Sequence, residues 1–117
     1  MELEIGGQLR ELKFGLGFVR KADELYTIKQ NGLEMGMGVN MAYNYMTLYS
    51  VGDLAKVIKA SSTGSPSSKE VDNAIEKYAD EQGDLEPLFD EIIEEMGKSP
   101  VLKATIKKFK KMAKTEE

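Results

Sequence analysis

MELEIGGQLRELKFGLGFVRKADELY, residues Met1–Tyr26, is the stretch whose reading decides the fold. Apolar and polar residues alternate on both sides of Gly6-Gly7, a pair that suits the positive φ angles of a two-residue turn. This predicts a β-hairpin over residues 2–14. Pairing Ile5 with Gln8 puts Leu3, Ile5, Leu12 and Phe14 on one face. Arg10 shares that face, so it must lay its stem over apolar surface or mark a bulge. Beyond Gly15-Leu16-Gly17 the apolar period lengthens from two to three or four, and a helix begins. Two strands alone are marginal in water, so the hairpin must dock on the later helices or on a neighbouring subunit.

Six helices follow in this reading. The first, residues 16–30, turns Phe18, Val19, Ala22, Leu25 and Tyr26 inward and stops at Asn31-Gly32. Residues 33–38, with two glycines and two methionines, read as an irregular connection. Asn40 caps a second helix over 41–49, and Ser50–Asp53 (SVGD) resembles a capping box opening a third over 51–60. SSTGSPSS has no apolar residue, which predicts an exposed, mobile linker over 61–67. Ser67–Glu70 (SSKE) is a capping box for the fourth helix, 68–82, where Val71, Ala74, Ile75, Tyr78 and Ala79 share one face. Gly83 ends it, Asp84 caps a fifth over 85–96, and Gly97 ends that one. Ser99-Pro100 opens the sixth, 100–114. The expected fold is mainly α: an N-terminal β-hairpin and about six short helices in one compact domain spanning residues 1–117.

Composition excludes more functions than it suggests. With 117 residues, 41% hydrophobic and 31% charged, the chain can bury a core of its own. No apolar run reaches the length of about eighteen residues that a membrane span needs. There is no cysteine, hence no disulfide, thiol nucleophile or thiolate metal site. There is no histidine either, which removes the commonest general base and the commonest transition-metal ligand. An enzyme is therefore disfavoured, and no cofactor is implied.

The remaining features each admit a bland reading. Asp72, Glu76 and Asp80 stand four apart, as do Asp90 and Glu94, but they lie opposite the apolar stripes and read as solvated faces. The glycines of residues 32–38 are followed by neither Gly-Lys-Ser/Thr nor a complete GxGxxG, so flexibility or close packing explains them better than a phosphate cradle. Residues 35–49 combine four methionines with three tyrosines, which suits either core packing or an adaptable partner groove. Charge is segregated: residues 68–96 carry eleven acids against Lys69 and Lys77, whereas residues 97–114 carry seven lysines and no acid. A lysine helix can bind phosphates, yet this one lacks arginine, has Phe109 as its sole aromatic and belongs to a chain of net charge −4. Attraction to the acidic helices, within the chain or on a neighbour, accounts for the lysines at least as well.

Three blocks in order, ELKFGLGFVRKADELY, GMGVNMAYNYM and YADEQGDLEPLFDEIIEEMGKSP, make the chain similar to the tail assembly chaperones of long-tailed, siphovirus-type phages and prophages of Gram-positive bacteria. The resemblance implies a non-enzymatic, homo-oligomeric protein of the bacterial host cytoplasm. Such a protein coats the helical tape measure protein, keeps it soluble and yields to tail tube subunits. It also implies a frameshift-extended form of the same chain and no membrane association. For the tape measure contact the expected residues are Phe18, Met37, Met41, Tyr45 and Tyr49; for self-association they are Lys107, Lys108, Lys110 and Lys111. The alternative is a small nucleic-acid-binding phage accessory protein that uses the lysine-rich C-terminal helix.

Overall fold

A computed structural model describes residues 1–115. Strands β1 (Glu2–Ile5) and β2 (Gln8–Glu11) form the expected hairpin, with Ile5 opposite Gln8 and both turn glycines at positive φ. It docks within its own chain: β1 packs on α4 (Ser68–Gln82), and Ile5 is 0% exposed. Arg10 resolves its conflict by hydrogen bonding. Its Nε donates to the Ile5 carbonyl and its Nη1 to that of Thr63, each at 3.1 Å. Leu12 bridges to Ser62, and Leu12 and Phe14 are buried.

Among the described residues six helices complete the body, including α1 (Leu16–Leu25), α2 (Gly38–Thr47) and α3 (Val51–Ser61). After α4 come α5 (Glu86–Lys98) and α6 (Lys103–Thr115). Helix α2 is central, touching α1, α3, α5 and α6, and for that reason it buries Val39, Ala42, Tyr43 and Met46 around more than one stripe. The core they share includes Leu54, Ile58, Leu88, Phe89, Ile92 and Met96. Each fully buried aliphatic side chain of this kind contributes roughly 1.5–3 kcal/mol. Gly38 is needed where α1 and α2 cross, because a Cβ there would run into the Ala22–Asp23 backbone.

The structure corrects several boundaries. Helix α1 ends at Leu25 rather than at residue 30, since Tyr26 leaves helical geometry with ψ 81° and is held by contacts outside the helix. Residues 27–36 are neither helix nor irregular. They form a second antiparallel hairpin, β3 (Thr27–Gln30) and β4 (Leu33–Gly36), turned by Asn31 and Gly32 at positive φ. Helix α2 starts at Gly38, not Met41, because the cap comes from another helix: Asp23 Oδ1 accepts from the Gly38 N–H at 2.8 Å. The carbonyl oxygen of the Asn40 side chain is left buried without a partner. Ser50 heads α3 without closing a capping box, for its hydroxyl donates to Asp53 instead.

The serine-rich segment is no free linker. Ser61 and Ser62 are buried, their hydroxyls satisfied by the Val57 and Ile58 carbonyls, and their backbone pairs with Leu12 and Lys13. Helix α5 runs through Gly97 to Lys98, and α6 begins at Lys103 after a turn anchored by the Ser99 carbonyl. The Ser67–Glu70 capping box and the Gly83 left-handed cap stand as the sequence predicts.

Candidate functional site

Helix α2 and the corners it joins carry most of the residues singled out for partner contact. Met37, Met41 and Tyr45 recur every four residues, so they line one flank of α2, and all three are half-buried. Tyr45 packs on Tyr26, ring centroids 5.7 Å apart. The Tyr26 hydroxyl donates to Asp53 Oδ1 at 2.6 Å, and Lys56 stands 5.9 Å over its ring. Burial, and then the hydrogen bond to Asp53, push the Tyr26 phenol well above the ordinary tyrosine range. This cluster is what bends the chain out of α1.

Tyr49 sits at the α2–α3 corner with φ 55°, a left-handed conformation that is costly for a bulky side chain. Its ring lies 5.0 Å from that of Phe89, and its hydroxyl donates to Asp90 at 2.6 Å. That bond to a carboxylate raises the phenol to about 12. Leu48, Tyr49 and Val51 are exposed together here. Phe18 is set apart from the others. At 2% exposure, with its ring edge-on to Phe14, it belongs to the core.

The lysine helix packs on α2 and α5 through Leu102, Ile106 and Phe109, the last edge-on to Tyr43. Lys107, Lys108, Lys110 and Lys111 are exposed, and Lys110 lies 5.6 Å over the Tyr43 ring. Of the acids of α4 and α5, Glu70 and Glu95 are half-buried and the others exposed. Ion pairs there join Lys77 to Glu4 and Glu81, and Glu94 to Lys98 at 2.8 Å. The bond from Lys98 holds the Glu94 carboxyl below the usual range. Among the described residues no three acidic side chains converge closely enough to hold a metal ion, and no helix is long and apolar enough to cross a membrane.

Two features lie outside the expected site. One is a groove of about 730 Å³ bounded by α1, α3 and the start of α4, with Leu25, Ala55 and Val71 in its wall and Lys21, Lys56 and Lys59 around it. It joins elements distant in sequence, so no local signal marks it. The other is the β3–β4 hairpin, which touches the body mainly at α1. Asn-Gly flanked by Thr27-Ile28 and by alternating Leu33 and Met35 is its signal, and it was there to be read.

The molecule is a small helical body with segregated charge, exposed apolar corners and an outlying hairpin. The family it falls into is specific. A family model described as phage tail assembly chaperone protein, TAC, matches residues 2–111, and the chain belongs to that family. Neither a curated protein nor a solved structure matches the chain.

Proposed function

We propose that the protein binds the tape measure protein of its phage, keeps it soluble and releases it as the tail tube assembles around it, acting in several copies in the host cytoplasm. Family membership over residues 2–111 carries this reading. The surface is compatible with it. Met37, Met41 and Tyr45 form an adaptable half-buried flank, Tyr49 a strained exposed corner, and the groove beside α1 offers apolar wall to one face of an amphipathic helix. Lysines 107, 108, 110 and 111 would draw α6 of one copy toward the acidic α4–α5 face of another or of a frameshift-extended form.

The test is co-expression with the tape measure protein. Soluble complex should form, and alanine at Met41, Tyr45 or Tyr49 should each weaken it by about 1 kcal/mol, near fivefold, measured below the melting point of each variant. Neutralising the four lysines should weaken the assembly and lessen its dependence on salt. A tape measure protein that stays insoluble beside the folded chaperone overturns the proposal. Salt-sensitive retention on DNA that is lost with the same lysines would favour the nucleic-acid reading instead.

A further inference from the structure

The β3–β4 hairpin has two sides of different character and two open edges. Its register pairs Ile28 with Met35, Lys29 with Glu34 and Gln30 with Leu33. One face therefore carries Ile28, 40% exposed, and Leu33, 66% exposed, with no core beneath them. The other face carries the Lys29–Glu34 ion pair at 3.3 Å. Only β3 and β4 make up this sheet, so each strand offers its outer edge unpaired among the described residues. Such a two-stranded sheet is marginal alone and gains stability when a further strand is added.

The charges decide what that strand can be. In a hairpin closed by two residues, the pair next to the turn exchanges both hydrogen bonds, so Lys29 and Glu34 in the following pair aim their N–H and C=O groups outward. A second hairpin set beside the first in the same orientation runs its β3 antiparallel to the first β4. Glu34 then lies beside the neighbour's Lys29, and the charges alternate in sign across every joint. Two-fold pairing of like strands would instead oppose Glu34 to Glu34 or Lys29 to Lys29, which is destabilising.

We propose that the occupant of this edge is a second copy of the chain, its β3 added to the first copy's β4, so that copies join head to tail. The contact is heterologous, leaving one free edge at each end of a row and allowing rings or filaments. It rests on the reading that the protein works in several copies.

The experiment uses the full chain, sized by light scattering over a range of concentrations. Lys29→Glu makes a hairpin acidic on both strands and Glu34→Lys one basic on both. Each variant alone should stay at the mass of one chain, 13.0 kDa. Mixed, they should co-assemble to the wild-type size, because every joint again opposes a lysine to a glutamate. Each variant loses the ion pair inside its own hairpin, so recovery on mixing reports contact between copies rather than repair within one. Glu34→Pro, which removes one outward N–H, should stop association, whereas Glu34→Gln should only weaken it. If either charge variant associates as the wild type does, or the mixture stays monomeric, the hairpin is not the joint and the proposal falls while the several-copies reading survives. A wild type that remains a 13.0 kDa species both alone and with tape measure protein overturns both.

Discussion

Two hairpins of equal strand length stand on this molecule, and only one is part of its core. Both turn through two residues at positive φ, Gly6-Gly7 in the first and Asn31-Gly32 in the second. Both alternate apolar and polar residues. The first lies on α4 with Ile5 fully buried and is tied to the end of α3 by Arg10 and by Leu12. The second leaves Ile28 and Leu33 in solvent. Local sequence thus specifies that a hairpin forms, and long-range packing specifies whether it becomes structure or surface.

The largest expected effect separates them directly. Ile5→Ala removes a fully buried side chain between sheet and helix and should cost about 2–5 kcal/mol in chemical denaturation. Ile28→Ala, made on the exposed face, should stay within about 0.5 kcal/mol. Equal costs would mean that the second hairpin is held by the core after all.

A smaller effect tests the turns. Gly6→Ala meets two penalties, a positive φ and a Cβ directed into the Glu70 carboxylate that closes the α4 capping box. Gly32→Ala meets only the first, because open space surrounds it. Strain of about 1 kcal/mol applies to both. At Gly6 it should appear in global unfolding, together with the disturbed cap. At Gly32 it should appear as faster amide exchange confined to residues 27–36, with the global midpoint unchanged.

The same contrast explains what the sequence could and could not disclose. The first hairpin, its register and the α4 capping box were legible because each is specified by neighbours within a few residues. The end of α1 was not. Ile28 and Lys29 can continue a helical pattern, and the hydrogen bond of Tyr26 to Asp53 and its ring contact with Tyr45 come from elements yet to come. The α2 cap was hidden for the same reason, since Asp23 supplies from α1 what Asn40 would have supplied locally. Ser61 and Ser62 misled in the opposite sense. Their hydroxyls satisfy carbonyls of their own helix, so residues typical of a linker end up buried. The helical spacing of Met41 and Tyr45 was legible, while the groove and the second hairpin's outer edges depend on which elements meet.

The smallest effect concerns pH, and it sharpens the comparison because the first hairpin adjoins a carboxyl held below its usual range. Glu70 accepts from the Ser67 backbone N–H, and its carboxyl is held below the usual range by that bond first and by the Ser67 side chain second. A depressed folded value means that the contribution is complete above the ordinary carboxylate range and is lost as pH falls through the folded value. Acidification should therefore loosen the α4 start and the adjacent Gly6 turn before the rest of the domain. Glu70→Gln, which keeps an amide oxygen to accept from the Ser67 N–H but cannot titrate, should flatten this acid response. Amide exchange at residues 2–11 and 68–72, followed as pH is lowered, should show the change in the wild type and little of it in the variant. The β3–β4 amides, on a hairpin that packs mainly on α1, should report no matching step. A step of equal size in both hairpins would show that acid acts on the whole fold at once, and the capping box would then lose its place as the link between sheet and helix.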